Sequence, residues 1–422
     1  MKISIKIFIE HILVFFMILN TASVYERAYI DFYVSELALL FELLLFFFLA
    51  FNHRLKVKHL KALVVNMGPY LIIAFVYYLI NVSDAQRIGY IMRFLVFIPI
   101  MILILQMLNE NIQKSSILKA YVNVMFFLAV TSLIFWMFGT VLGIFRPTSQ
   151  LLVNWGGDQI YKGYLGIYYE FQSTVFLGVR VIRNCSLFCE APMFQFCLIF
   201  AISSLCFSNI RNKFSIKERT KIIVLSLAVI TSFSTTGMAC LFLIYGLNYY
   251  ARASFSRGIK VKKMVTIIAL LIGFIVAMYL FQDKSNSISW TIRTRSWIAY
   301  WNVFLSNPIL GAGYLNDTVA NDYSKMLFGQ QAGTSNSLAS ILGQGGIFFS
   351  ALYLIPLIGG ILTAFKRKEM EIGFCIIVFF IDFMFTATQS SYTVIFLLAL
   401  LYKYLLFDYK SKAYVRLKKK GV

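Results

Sequence analysis

Long, uninterrupted apolar runs constrain this chain more than any other feature. Sixty per cent of its 422 residues are hydrophobic and only 14% are charged, which excludes an ordinary water-soluble domain. Hydrocarbon offers no hydrogen-bond partner to backbone amides, so each membrane span must be a helix or belong to a closed barrel. The runs lack the alternation of barrel strands, and the sequence therefore predicts membrane-spanning helices.

Twelve such runs are long enough, or nearly so, to cross about 30 Å of hydrocarbon. They cover residues 4–20, 34–51, 63–81, 89–108, 120–144, 190–208, 221–235, 237–251, 264–281, 346–365, 372–388 and 392–407. We expect an all-α polytopic membrane protein with about 12 transmembrane helices, in which residues 1–422 form a single integral membrane domain.

The distribution of basic residues predicts the orientation of these spans. Placing the amino terminus, the short basic loops, the 109–119 turn and the carboxyl-terminal region from Lys403 onward on one side gives that side 28 of the 39 Lys and Arg residues. The positive-inside rule makes this side cytoplasmic, with both termini inside. The net charge of +21 then reflects topology and attraction to lipid headgroups. The lipid bilayer is therefore an expected partner, and nucleic acid is not, because a nucleic-acid-binding function would need a soluble basic domain.

Two long loops, residues 145–189 and 282–345, fall on the other face, which is periplasmic or extracellular in this orientation. The second loop contains the polar stretch 293–346, which has helical segments of its own and a Gly-Ala-Gly turn after Pro308. Long loops on a rigid scaffold commonly carry function, so we expect a ligand site at the outer surface of the membrane.

Several kinds of chemistry are excluded by what this outer face lacks. Of the three histidines, His11 lies in the first predicted helix, and His53 and His59 lie in a cytoplasmic loop. A histidine metal site or a Ser-His-Asp triad is therefore not expected there, nor is a P-loop or dinucleotide fingerprint present, and we predict no metal and no cofactor. Cys185 and Cys189 are one helical turn apart, a spacing that favours free thiols over a disulfide.

Arginine is the basic residue that stands out on the predicted outer face. Guanidinium groups stay charged at any pH and bind phosphate oxygens bidentately, so two converging pairs would suit a pyrophosphate. The alternative is that each arginine only anchors a helix end among lipid headgroups. Four such residues flank the two long loops, which favours the ligand: Arg180, Arg183, Arg293 and Arg295.

Charged residues also occur within the predicted spans, where they are costly unless they face a partner or a wet cavity. Arg93 lies a few residues below the outer surface and either faces such a partner or snorkels to the headgroups. Glu36, Glu42 and Asp382 are either interhelical partners of the arginines or parts of a proton relay.

Glu190 is the most suitable acid for chemistry, because it stands where the first long loop meets the sixth span, just before Pro192. Its carboxylate could cap the helix, pair with Arg183 or act as a general base on a sugar hydroxyl. Aromatic residues such as Trp155 and Trp297 are numerous in both loops. They could stack on sugar rings or belong to the interfacial belt of any membrane protein.

Three segments resemble the O-antigen polymerases and related bacterial polysaccharide polymerases, in the superfamily that also holds O-antigen ligases. The first comprises Arg183, Ser186, Phe188, Glu190, Pro192 and Phe194, and the second is Ser234-Thr235-Thr236-Gly237. The third comprises Arg295, Trp297, the turn Asn307 to Tyr314 with Gly311 and Gly313, and Ser335-Asn336. Ser335 occupies the position at which ligases of the superfamily carry a catalytic histidine, and this favours a polymerase.

The resemblance implies an inverting, metal-independent glycosyl transfer at the outer face of the bacterial cytoplasmic (inner) membrane. Undecaprenyl-diphosphate-linked repeat units would be joined into O-antigen, capsular or exopolysaccharide, with a chain-length regulator and a flippase as further partners. The alternatives are an O-antigen ligase and a repeat-unit flippase or transporter.

The placement of the arginines and the resemblance together assign expected roles to individual residues. The expected catalytic residues are Glu190, Arg183 and Arg295. The expected substrate-binding residues are Arg180, Arg293, Arg93, Trp297, Gly311, Gly313, Tyr314, Ser335 and Asn336. We further expect the two long loops to pack over one cavity that Arg183 and Arg295 both face.

Overall fold

The computed structural model describes residues 4–29, 32–52, 54–110, 112, 115–155, 157–176, 179–208, 210, 213–253, 288–331 and 333–408. The described part of the chain is 72% helical. Its helices before the first long loop are α1 (Ile5–Leu19), α2 (Val24–Arg27), α3 (Val34–Phe51), α4 (Val57–Asn81), α5 (Arg87–Tyr90), α6 (Ile98–Leu108) and α7 (Ser116–Phe135). Those after it are α8 (Ala191–Ser208), α9 (Ile216–Thr231), α10 (Thr235–Ala253), α11 (Ile288–Ser306), α12 (Thr318–Phe328), α13 (Ser337–Lys366), α14 (Met370–Phe385) and α15 (Tyr392–Leu406).

Within the described ranges, six helical stretches are long and apolar enough to cross a membrane, which indicates a membrane-embedded protein. They are Val34–Phe51, Val57–Asn81, Asp84–Leu108, Ser116–Val141, Ala191–Ser208 and Ser337–Lys366. The predicted run 264–281 lies outside the described residues, so the total of twelve spans stays a prediction.

Two of these stretches contain π-helical turns. The segment Ile91–Phe97 joins α5 to α6, and the segment Trp136–Val141 extends α7. A π-helix inserts an extra residue into the regular hydrogen-bond ladder and is frequently found at functional sites. The first of these segments contains Arg93.

The segment that follows α1, the residues that precede α8 and the start of α15 meet at the same end of the bundle. The amide of Val24 donates to the carbonyl of Leu187 at 2.8 Å, and the amide of Tyr392 donates to Asn20 Oδ1 at 3.1 Å. We call this end, formed by the described parts of 20–28, 149–190 and 386–391, the strand end. At the opposite end, Lys403 Nζ donates to the carbonyl of Glu110 at 2.6 Å.

The first long loop contains β-strands, which the sequence analysis did not predict. In one sheet β1 (Ser149–Asn154), β2 (Asp158–Tyr164) and β3 (Tyr168–Tyr169) pair antiparallel in that order, and in a second sheet β4 (Ser173–Phe176) pairs antiparallel with β5 (Val179–Ile182). The all-α description is therefore corrected for this loop. Strands are possible here because sheet edges outside hydrocarbon can hydrogen-bond to water, whereas those inside it cannot.

The second long loop contains two helices, α11 and α12, as the polar stretch predicted. They pack around a small apolar core formed by Ala299, Tyr300, Val303, Ala320 and Ala339. Helix α13 begins at Ser337, inside the predicted loop 282–345. Residues 337–345 are less apolar than the run that follows, and the sequence alone therefore assigned them to the loop.

The Gly-Ala-Gly turn of this loop packs against a break in α13. Gly346 adopts φ 56° and ψ −162°, which interrupts the helix. The amide of Gly313 donates to the carbonyl of Gln344 at 2.8 Å, and the amide of Ile347 donates to that of Pro308, also at 2.8 Å. A Cβ on Gly311 would lie 2.5 Å from the carbonyl carbon of Gln344. Close backbone packing thus explains why glycine occupies these positions. Ligand binding by Gly311 and Gly313 stays a prediction.

Replacing Gly346 with alanine should destabilise the protein by at least about 2 kcal/mol, because the new Cβ would combine an unfavourable backbone conformation with overpacking. That Cβ would lie 2.4 Å from the carbonyl group of Ile309. Gly68→Ala is the matched control, because a Cβ at Gly68 in α4 meets nothing within 4 Å. Thermal unfolding of the purified variants in one detergent tests this, and equal midpoints for both variants would contradict it.

Candidate functional site

Glu190 lies at the strand end, immediately before α8. Its backbone carbonyl accepts hydrogen bonds from the amides of Met193 at 3.1 Å and Phe194 at 3.3 Å. Its carboxylate accepts a hydrogen bond from the indole Nε1 of Trp155 at 2.9 Å, which ties the start of α8 to the end of β1. The half-buried carboxylate is thus placed at a helix N-terminus, where negative charge is stabilised.

Arg183 follows β5 and is fixed by three hydrogen bonds. Its Nε donates to the carbonyl of Ser232 at 2.8 Å, Nη2 to that of Phe233 at 3.5 Å, and Nη1 to Gln172 Oε1 at 3.2 Å. The same Gln172 oxygen accepts from the amide of Ala191 at 3.2 Å, so it connects Arg183 to the start of α8. Burial lowers the pKa of Arg183, but a guanidinium remains cationic near neutral pH.

Arg293 reaches the same place from the second long loop. Its Nη1 donates to the carbonyl of Phe385 at the end of α14, and its own carbonyl accepts from Asn336 Nδ2 at 3.1 Å. Burial lowers the pKa of Arg293, and its guanidinium also interacts electrostatically with Glu190, Arg183 and Asp382. Each long loop therefore contributes one arginine to the surroundings of Glu190.

Arg295 points elsewhere, which revises the expectation that it shares a space with Arg183. Its Nη1 donates to Gln330 Oε1 at 3.0 Å, and its guanidinium carbon lies 5.4 Å from the ring centroid of Phe328. Residues two apart on a helix are separated by about 200° around its axis, so Arg293 and Arg295 cannot face the same side of α11. Arg293 is the arginine of this pair that interacts electrostatically with Arg183.

Two further charged residues of the site, Glu26 and Arg27, were not singled out from the sequence. Ser23 forms a β-bridge with Phe188, which brings this segment beside the start of α8. The Arg27 guanidinium lies 5.3 Å from the ring centroid of Trp155, the residue that binds Glu190. The sequence feature that could have pointed to these two residues is their position: Glu26 and Arg27 are adjacent charged residues between two apolar runs, on the same predicted face as the long loops.

The turn between α14 and α15, residues 386–391, connects the arginines to α13. Arg93 Nε donates to the carbonyl of Ser390 at 2.8 Å, and Ser337 Oγ donates to the carbonyl of Thr386 at 2.5 Å. Tyr353 Oη donates to the carbonyl of Gln389 at 2.8 Å. This turn was not recognised in the sequence, although it adjoins the Phe385 carbonyl that binds Arg293.

Arg93 faces polar partners inside the bundle, which supports the first of its two interpretations. Its Nη1 donates to the carbonyl of Gly89 at 3.1 Å, and its guanidinium lies 5.5 Å from the ring centroid of Tyr392. It also interacts electrostatically with Glu26 and with Tyr314. Tyr314 itself is buried in an aromatic cluster, with its ring edge against Tyr90 at 5.0 Å.

Asp382 on α14 is 1% exposed and is held by neighbouring helices. Its Oδ1 accepts from Gln195 Nε2 at 2.7 Å and from Thr386 Oγ1 at 3.3 Å. Gln195 Oε1 in turn accepts from Ser234 Oγ at 3.4 Å. Asp382 thus connects α8, the start of α10 and the neighbourhood of Arg293, in keeping with its interpretation as an interhelical partner of an arginine.

The remaining predicted residues lie outside this group. Arg180 is exposed on β5, where its Nε donates to Ser173 Oγ at 3.0 Å. Trp297 is half-buried against the α11–α12 core. Ser335 Oγ lies 3.4 Å from Asn336 Nδ2 at the entry to α13. Substrate binding by these residues stays a prediction.

The cysteines near the site are not suited to nucleophilic chemistry. Cys185 and Cys189 are free and buried, as the sequence analysis expected. Burial raises the pKa of Cys185 to about 12, so its reactive thiolate is scarce at neutral pH. In the described part of the chain, no group of three or more His, Cys, Asp or Glu residues could hold a metal ion.

The group can bind an anion and accept a proton. Arg183 and Arg293 supply two permanent positive charges that interact electrostatically with the carboxylate of Glu190. Guanidinium groups of this kind suit phosphate oxygens, and a half-buried carboxylate suits a general base. No protein-family model matches this chain, and no curated protein matches it.

Proposed function

We propose that this protein joins lipid-diphosphate-linked oligosaccharide repeat units into a polysaccharide by inverting glycosyl transfer. The observation that carries the proposal is the arrangement of one arginine from each long loop around Glu190: Arg183 shares Gln172 Oε1 with the amide of Ala191, the residue after Glu190, and Arg293 interacts electrostatically with Glu190. A diphosphate leaving group needs fixed positive charge, and an attacking sugar hydroxyl needs a base. The resemblance of the sequence motifs to polysaccharide polymerases supports the same reaction.

In the proposed reaction the growing glycan leaves undecaprenyl diphosphate through its reducing-end anomeric carbon. The bond from this carbon to the diphosphate oxygen breaks, and a new bond forms to a hydroxyl oxygen of the next lipid-linked unit. The electron pair of the broken bond stays on the diphosphate, whose developing charge Arg183 and Arg293 stabilise. Glu190 accepts the proton of the attacking hydroxyl while Trp155 holds one carboxylate oxygen.

We assign the strand end to the outer face of a bacterial cytoplasmic membrane. Basic side chains such as Lys6 and Lys403 lie at the opposite end, and the positive-inside rule places that end in the cytoplasm. Both substrates are lipids in this proposal, so a site at the membrane surface gives them direct access. A flippase and a chain-length regulator are the proteins that such an enzyme would work with.

The two alternatives differ from the polymerase in one feature each. A ligase of the resembling superfamily would need histidine where this chain has Ser335 at the entry to α13. A flippase or transporter commonly has two related halves and short loops. Here the two long loops instead supply Arg183 and Arg293 to the same site, which favours an enzyme.

Glu190→Gln should lower the rate of polymer formation by about 100-fold or more, the range expected when a general base is lost. The glutamine oxygen can still accept from Trp155, and the backbone contacts at the start of α8 do not involve the side chain. The variant should therefore accumulate in membranes with an unchanged unfolding midpoint. Glu218→Gln is the control, because Glu218 also stands in the first turn of a helix, where it forms the capping box of α9. Normal polymer yield from Glu190→Gln would leave helix capping as its only role.

Arg293→Ala should reduce polymer formation by about 100-fold or more, the usual cost of removing one donor that stabilises a developing anion. Arg295→Ala, two residues further along the same helix, should have a much smaller effect because Arg295 contacts Gln330 and Phe328. Arg293→Lys should recover little activity, since a point charge lacks the bidentate geometry of a guanidinium. Polymer yield at matched membrane abundance is the measurement, and the opposite ranking of the two alanine variants would contradict this assignment.

The purified protein tests the function itself. Given lipid-linked repeat units in detergent, without added nucleotide, it should produce chains of two or more units. In cells that lack the gene, a missing polymerase leaves single units on the core or carrier, whereas a missing ligase leaves long polymer on undecaprenyl diphosphate. A missing flippase leaves single units facing the cytoplasm. Long polymer made in membranes without this protein would reject the proposal.

A further inference from the structure

A buried acid that the proposed reaction does not use lies within the membrane-spanning helix α3. Glu42 has no exposed surface, and no described residue donates a hydrogen bond to either of its carboxyl oxygens. An ionised carboxylate without a partner in such surroundings would cost several kcal/mol of desolvation free energy. Glu42 therefore holds its proton in the resting protein.

A tyrosine hydroxyl in the same region shares this condition. Tyr392 Oη is buried and forms no hydrogen bond with any residue in the described ranges, whereas the buried Tyr314 Oη has Arg93 as its polar neighbour. Tyr392 interacts electrostatically with both Glu42 and Arg93, and Tyr314 interacts with Arg93. Buried polar atoms without partners are rare, and ordered water commonly satisfies them. The unpartnered oxygens of Glu42 and Tyr392 are therefore suited to hydrogen-bond internal water.

This region is continuous with the strand end. Arg93 interacts electrostatically with Glu26, whose side chain is 19% exposed. The side chain of Asn20 lies between Glu26 and the backbone of Tyr392, since its Nδ2 is 3.5 Å from Glu26 Oε1 and its Oδ1 accepts from the amide of Tyr392 at 3.1 Å. Polar groups thus extend from a partly exposed carboxylate to Tyr392, which interacts electrostatically with Glu42.

We propose that Glu42 is an exchangeable proton-binding site inside the membrane, reached by water from the strand end past Arg93, Tyr314 and Tyr392. On release, the O–H bond of the Glu42 carboxyl breaks, its electron pair stays on the carboxylate, and the proton leaves on water. This site is independent of the proposed glycosyl transfer.

The other charged groups on the elements that pack against α3 do not take this role. In α1, Lys6 and Glu10 form an ion pair at 3.3 Å, and His11 is hydrogen-bonded to the carbonyl of Ile7. Glu36 is exposed in the first turn of α3 itself. Within the described part of the bundle around α3, Glu42 is therefore the group expected to exchange a proton with the strand end.

Infrared spectroscopy of the purified protein tests this site, because a protonated carboxyl group has its own carbonyl band. One component of that band should be lost in Glu42→Gln and moved in Glu42→Asp, which retains an acid. The carbonyl-band component that is lost in Asp382→Asn belongs to Asp382, the other buried acid, and is thereby distinguished from that of Glu42. On transfer to D₂O, the Glu42 component should shift before the amide protons of the spanning helices exchange.

Tyrosine variants test the route. Tyr392→Phe should slow the shift of the Glu42 component severalfold. Tyr90→Phe should leave it unchanged, because the Tyr90 hydroxyl already donates to the carbonyl of Ala74 at 2.9 Å. The proposal is overturned by an unchanged carboxyl band in both Glu42 variants, by exchange no faster than that of the helix amides, or by equal rates in the two tyrosine variants. None of these measurements involves polymer, so this proposal and the proposed function can fail separately.

Discussion

The arrangement at the strand end depends on the backbone carbonyl groups where α14 turns into α15. Arg293 binds the carbonyl of Phe385, Ser337 binds that of Thr386, and Arg93 binds that of Ser390. These three donors come from the second long loop, the start of α13 and a membrane-spanning helix. Carbonyl groups at a helix end and in the turn after it lack intrahelical partners, and here Arg293, Ser337 and Arg93 supply them. The short turn therefore fixes the relative places of elements that are far apart in sequence.

The helices could largely be predicted from the sequence, because length and apolar composition decide whether a segment can cross hydrocarbon. Their ends were less predictable. Helix α4 begins at Val57, six residues before the predicted run, since its basic first turn is still helical although not apolar. The strands of the first long loop were missed because their pairing depends on contacts within a small sheet rather than on one long apolar pattern. In β2, for example, Tyr161 is buried while Ile160 is exposed, so hydrophobicity does not follow burial there.

The candidate site shows the same division between local and long-range information. Glu190 and Arg183 were recognised because they stand near the start of an apolar run within a recognisable motif. The choice between Arg293 and Arg295 required the extent and rotation of α11, which the sequence pattern did not provide. The contribution of Arg27 depended on the β-bridge between Ser23 and Phe188, a contact across more than 160 residues that no local signal reveals.

The direction in which Arg93 points depends on the number of residues in the π-helical segment Ile91–Phe97. Each residue of an α-helix turns by about 100°, and a π-helical turn accommodates one residue more than the α-helical ladder does. Loss of a single apolar residue between Arg93 and Phe97 would let the regular ladder form and rotate the start of the span relative to α6. Arg93 would then leave the Ser390 carbonyl and face another side of the bundle, with its own codon untouched. In this span, an insertion or deletion would change the side of the bundle that Arg93 faces, whereas most substitutions would not.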